Sequence, residues 1–176
     1  RTKTLIYAGT YSNIDKIISI LQDALPNRKN ELLESFSDWL KNNYGETYVL
    51  SDLVCRGIGI HNGRLHRSLS QLQVRLFEEP MGLYNIVSTS SIIEGVNTSA
   101  ENVIIWANKN GKPNLNDFTY KNIVGRGGRM FRHFIGKIYL FEAPPEEKPA
   151  QLKLEFTDEL LNSLDTNKFN DELTRE

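Results

Sequence analysis

The stretch Tyr120-Lys121-Asn122-Ile123-Val124-Gly125-Arg126-Gly127-Gly128-Arg129 lies at the centre of the segment, residues 86–141, on which the reading of the chain turns. Two arginines stand three residues apart, each closely preceded by glycine, and on a helical turn they face the same side. Ile123 and Val124 can anchor that turn inward, while Gly125, Gly127 and Gly128 leave the backbone uncovered. Arginine supplies a rigid fork that binds phosphate oxygens in pairs, which lysine does not. Taken alone, the segment also fits a Gly-rich cationic turn on the surface of an α/β domain.

Working outward, short apolar runs alternate with amphipathic stretches. Residues 4–8 predict a buried strand stopped by Gly9, and Ser12 or Asn13 can cap a helix carrying Ile14, Ile17, Ile18 and Leu21 on one face. A second helix over 31–40 presents Leu32, Leu33, Phe36, Trp39 and Leu40, and a short one is expected over 50–55. Residues 58–61 predict a strand, and 68–77 a helix with Leu69, Leu72, Val74 and Leu76 inward. Strands follow at 84–88, at 103–106 (expected at the centre of the sheet) and at 137–141, with a helix over 118–124 between the last two. This βαβ rhythm predicts a parallel sheet with helices on both faces, whose ligands gather at the carboxyl ends of the strands. The polar signals fall there: Gly9-Thr10, His61-Asn62-Gly63-Arg64 and Ser88-Thr89-Ser90-Ser91.

The chain of 176 residues suits one domain, residues 1–143. Pro144-Pro145 and the charged run behind them mark 144–176 as an extension or the start of a following domain. The chain opens without methionine and enters a strand almost at once, as expected of a piece of something longer. A net charge of −1 gives no global positive field, so a nucleic-acid partner would be held by a local cluster. The single Cys55 excludes an intrachain disulfide and is expected to be buried and inert. No apolar run reaches the ~20 residues of a membrane span.

The loops exclude several chemistries. His61, His66 and His133 lack the spacing of a metal motif. No Gly-x-Ser-x-Gly turn, no Gly-x4-Gly-Lys-Ser/Thr loop and no Gly-x-Gly-x-x-Gly after the first strand occurs. The run 88–91 offers hydroxyls and N–H groups to a phosphate, or simply caps a turn. His61 fits a contact to a nucleic-acid backbone or a structural role, and Glu94 can orient an arginine or a nucleotide hydroxyl.

Four stretches together resemble the second RecA-like domain of a superfamily 2 helicase, closest to the Ski2-like and DEAD/DEAH-box branches. They are residues 4–10 (motif IV), 59–65 with Arg67 and Phe77, 85–97 (motif V) and 120–129 (motif VI, with its Gly-Arg-x-Gly-Arg core). The resemblance implies a RecA-like P-loop NTPase fold without its own Walker loop, covering nearly all of 2–141. It implies that Arg129 is an arginine finger toward ATP and that Arg126 contacts phosphate or a coupling carboxylate. Glu94, Gly95, Asn97, Asn122 and Gly125 would sense the nucleotide, and Gly9, Thr10, His61, Asn62, Gly63, Arg64, Thr89 and Ser90 would contact single-stranded DNA or RNA. ATP and Mg2+ would be held mainly by the first RecA-like domain of the same polypeptide. The fragment itself is expected to hold neither cofactor nor metal, to hydrolyse no ATP and to be cytoplasmic with no membrane partner. Asn122 stands where the family has glutamine or histidine, and Arg64 where the Ski2-like branch is small and apolar. A duplex translocase of a restriction or defence system, or a catalytically lapsed interaction module, would carry the same residues.

Overall fold

A computed structural model of the chain describes residues 2–92, 100–127 and 136–146. Its strands are β1 (Thr4–Tyr7), β2 (Ile58–His61), β3 (Asn85–Ser88), β4 (Asn102–Ile105) and β5 (Lys137–Leu140). Its helices are α1 (Tyr11–Ala24), α2 (Glu31–Tyr44), α3 (Val49–Cys55), α4 (Arg67–Glu78) and α5 (Asp117–Val124), with a 3-10 turn over Ser90–Ile92. The strands form one five-stranded sheet in the order β2-β3-β1-β4-β5, every pairing parallel. α2 packs on α3, α3 and α4 pack against β2, and α1 packs against β3, so helices flank the sheet.

β1, not β4, holds the centre. Its backbone pairs with β3 and β4 at once, and Leu5, Ile6, Tyr7 and Ala8 are all buried, as a strand covered on both faces requires. β4 stands one strand in from the edge, between β1 and β5. It reads as the most apolar run because both of its faces are packed, which does not by itself make it central.

Helix starts follow local hydrogen-bonding chemistry. Thr10, rather than Ser12 or Asn13, caps α1, its hydroxyl accepting from Asn13 N at 3.2 Å. Asn13 instead donates its side-chain amide to Ala8 O at 2.9 Å, tying the helix to the end of β1. Asn30 caps α2 and Asn116 caps α5 in the same manner. At the other end of α1, the Arg56 guanidinium donates to Gln22 O and Leu25 O, closing carbonyls the helix leaves open. Burial raises the Asp52 carboxyl, but hydrogen bonds from Arg56 and Gln22 outweigh it and hold that group below the usual carboxylate range.

The core departs from simple periodicity at several side chains. Leu33, Phe36 and Leu40 of α2 are buried, whereas Leu32 and Trp39 are exposed. Trp39 joins an aromatic row with Phe36 and Tyr44 that continues to Tyr48. Within α4, Leu69, Leu76 and Phe77 are buried, Leu72 is exposed and Val74 is half-buried. Cys55 is only half-buried.

The inward side of α4 carries Gln73, which is fully buried. Alternate N–H groups of β2 point away from β3, and Ile60 N is one of them. It donates to Gln73 Oε1 at 2.7 Å, while Gln73 Nε2 donates to Leu69 O at 3.3 Å. A buried amide therefore closes a sheet edge that would otherwise leave an N–H unpaired. Gln73→Leu keeps the volume and strands that donor. We expect a loss of about 1–3 kcal/mol, seen as a lower denaturant midpoint with an unchanged slope.

Candidate functional site

Parallel register decides where the loops emerge. Tyr7 pairs with Ser88 and Ile105, His61 with Ser88, and Ile105 with Leu140, so the five carboxyl ends are flush. The connection out of β1 leads toward β2 and the connection out of β4 toward β5, so the direction of winding reverses between these neighbouring strands.

Gly9 leaves β1 with φ of 77°, a backbone conformation that L side chains rarely adopt. A Cβ there would stand 2.7 Å from Lys109 O. Gly111 N donates to Gly9 O at 2.9 Å, and the Tyr7 hydroxyl donates to Lys109 O at 2.8 Å. The loop after β4 is thereby fastened to the turn after β1. Burial pushes the Tyr7 phenol up to about 12, so it remains a donor at every ordinary pH.

The ends of β2 and β3 are joined through His61. Thr89 N donates to His61 O at 3.2 Å, and the His61 ring Nδ1 lies 3.1 Å from Ser91 Oγ, itself 3.4 Å from Thr89 Oγ1. His61 is buried, turned into this hydroxyl cluster, and burial lowers its pKa. Asn62 Oδ1 accepts from Arg64 N and Leu65 N, folding 62–65 into a tight turn. Gly63 and Arg64 are exposed on it. The Arg64 guanidinium lies 4.0 Å above the Tyr11 ring, which joins this turn to the start of α1.

Gly9, Thr10, His61, Asn62, Gly63, Arg64, Thr89 and Ser90 thus share the carboxyl edge. Thr10 and Ser90 are half-buried and Thr89 is buried, and the exposed Arg64 stands at the same edge. The second set of residues lies elsewhere. α5 runs back along the sheet, and Arg126 O accepts from Ala100 N at 3.0 Å, before the first residue of β4. Asn122, Gly125 and Arg126 therefore stand toward the amino edge. Ile123 is fully buried and Val124 packs against the core, anchoring the turn inward as their sequence positions predict. The Arg126 side chain is half-buried, and burial lowers its pKa. Glu94, Gly95, Asn97 and Arg129 lie outside the described residues.

Two contributors escaped sequence reading. Tyr11 directly follows the Gly-Thr turn and could have been flagged as an aromatic at a loop end. Lys109 acts through its carbonyl, for which no sequence signal exists. Among the described residues no group of three acidic, histidine or cysteine side chains could hold a metal, and no helix is long and apolar enough to cross a membrane.

No family model matches the chain. It is 41% identical over 114 residues to "Anti-bacteriophage protein B" of Escherichia coli (strain K12), matching 65% of this chain and 16% of that protein. It is 31% identical over 133 residues to "DNA polymerase theta" of Caenorhabditis elegans, matching 76% of this chain and 8% of that protein. The chain thus spans a small fraction of either relative. Among solved structures, the C-terminal part of the Fun30 ATPase domain superposes with a TM-score of 0.51 at 14% identity, over 79% of this chain and 34% of that one. That likeness shows the fold, an α/β parallel sheet of RecA-like architecture.

The buried His61 makes stability depend on pH. Its folded pKa lies below the ordinary 6.5, so the unfolded chain binds the proton more readily. The stabilisation is complete above the unfolded pKa and is lost as pH falls through the folded value. Denaturant titrations between about pH 7.5 and about pH 5 should show stability declining on the acid side, and His61→Gln should flatten that decline.

Proposed function

We propose that the chain is the second RecA-like domain of a larger superfamily 2 helicase that works on DNA. The observation that carries this reading is the division of the predicted residues between two edges of one sheet. Hydroxyls, exposed turn backbone and Arg64 gather at the carboxyl edge, while Arg126 stands toward the amino edge. One edge is suited to track a sugar-phosphate backbone, with contacts that are largely independent of sequence. The other is suited to meet a phosphate held by a second domain. The DNA named in one relative, "DNA polymerase theta", favours DNA over RNA.

Two observations at the arginine turn support this reading. The Arg126 guanidinium is half-buried, where a cation attracts an anion more strongly than in water. A Cβ on Gly125 would meet Lys121 O at 3.2 Å, and one on Gly127 would meet Val124 O at 3.2 Å, so this backbone is compact without side chains. In our reading, Arg126 and Arg129 reach the phosphate oxygens of ATP, and Asn122, Gly125, Glu94, Gly95 and Asn97 line the approach. ATP with Mg2+, held mainly by the first RecA-like domain, would supply the free energy of phosphoryl transfer. The arginines contribute positioned positive charge, and Arg126 is oriented by its backbone bond to Ala100. Residues 1–143 form this domain in our reading, and 144–176 lead out of it.

A second reading is favoured by the name of the other relative, "Anti-bacteriophage protein B". Here the parent is a defence ATPase that translocates on duplex without separating strands. The same residues would serve it.

The test is nucleic-acid-stimulated ATP hydrolysis by the full-length parent. Arg126→Ala and Arg129→Ala should each lower kcat by about 100-fold or more, with ATP affinity kept within several-fold. Hydrolysis at the parental rate in both variants would remove the arginines from the phosphate site. Strand displacement on a forked duplex separates the two readings, since a pure translocase hydrolyses ATP there without releasing a strand.

A further inference from the structure

The contact between Arg64 and Tyr11 belongs to neither the sheet nor the core, and both residues are exposed. Long cationic side chains on a surface ordinarily sample many rotamers, at a cost of about 2 kcal/mol when one is frozen. Here three local features act together to hold one arrangement. The Asn62 side chain fixes the turn by accepting from Arg64 N at 2.9 Å and Leu65 N at 3.2 Å. The turn lies close to α1 at Gly63, where a Cβ would stand in ordinary contact, 3.6 Å from the Tyr11 hydroxyl. Tyr11, in the first turn of α1, is carried by the Thr10 cap and by the Asn13 bond to Ala8. The guanidinium then lies on the ring at 4.0 Å, within the range where cation and π-face attract.

Stacking occupies the face of the guanidinium and leaves its N–H edge in the plane available for oxygens. Arginine can stack and donate in this way simultaneously, and lysine cannot. Thr10, next to Tyr11 in the chain, and Thr89, whose N–H donates to His61 O, stand at the same carboxyl edge of the sheet. Building on the nucleic-acid reading above, we propose that Tyr11 is a positioning residue, which holds Arg64 as a preformed clamp for one backbone phosphate of a single strand. Arg64 covers one face of the ring. Tyr11 gains affinity for the strand through Arg64 alone.

Two measurements on the full chain test this. In NMR spectra without nucleic acid, the Arg64 side-chain protons should be shifted upfield by the Tyr11 ring, retained in Tyr11→Phe and lost in Tyr11→Leu. An absent shift in the unmodified chain overturns the clamp. Fluorescence anisotropy with a labelled single-stranded DNA oligonucleotide, and its RNA counterpart, at low salt supplies the second. Arg64→Ala should weaken binding about 10-fold and lower the salt slope by about 0.7, the value for one phosphate on a single strand. Arg64→Lys should retain the slope and still lose about 3-fold or more. Tyr11→Phe should bind as the original does, and Tyr11→Leu should lose about 3-fold or more, with no further loss when added to Arg64→Ala. Equal loss from Tyr11→Leu in both backgrounds would mean that the ring touches the strand directly, and no loss would make the stack incidental; either overturns the proposal. If the original chain binds neither oligonucleotide, the nucleic-acid reading fails and the clamp's purpose with it, whatever the ring shift reports.

Discussion

The backbone of β1 has to be paired on both sides at once, and most of the molecule follows from that requirement. Each residue of the strand faces one partner in β3 and one in β4, in parallel register, with apolar side chains covered above and below. A slip by one residue would exchange the two faces of the strand, bringing Leu5 and Ile6 into each other's environments. It would also carry Gly9 away from Lys109 O, where there is no room for a side chain. The same register that packs the core therefore fixes where the turns after β1, β2 and β3 emerge. The carboxyl edge owes its assembly of hydroxyls first to sheet geometry, and the contacts among His61, Ser91 and Thr89 then tie the strand ends together.

The two edges are connected by one continuous piece of chain. The loop after β4 is fastened to the turn after β1 through Lys109 and Gly111, and from it α5 runs back beneath the sheet to Arg126. Asn116 caps the start of α5 and the Lys121–Asp117 pair at 2.9 Å supports its first turns. A helix of eight residues spans about 12 Å. A strut of that length with a capped start transmits displacement more faithfully than a loop would. α5 thus links the 108–116 loop directly to the arginine turn.

Much of this was legible in the amino-acid sequence because parallel strands buried on both faces leave continuous apolar runs. Residues 4–8 and 103–106 declare themselves in that way, and the Gly and Asn positions mark the turns between. The order of the strands was not so legible. Runs of equal apolarity occupy the centre and the position beside it, so β4 reads as central although β1 is. Helix faces were misjudged wherever a large apolar residue lies on the flank of the buried stripe, as Trp39, Leu32 and Leu72 do. The converse error hid Gln73, a polar residue whose burial makes sense only once a strand edge needs an acceptor. The three loops at the carboxyl edge could be grouped from the βαβ rhythm alone. The Arg64–Tyr11 stack could not, because it depends on two segments about fifty residues apart meeting over a glycine.

The two margins of the sheet are finished differently. β2 ends the sheet with its outward donor Ile60 N occupied by an internal glutamine, so no further strand can be added there without expelling it. β5 ends it with Ile138, Tyr139 and Leu140 exposed, and Phe141 follows them into solvent against Trp106. Among the described residues, one margin thus has an internal acceptor on its outward donor and the other presents apolar side chains. Exposed apolar side chains along a strand margin are a self-association hazard, which the glutamine-closed margin does not share.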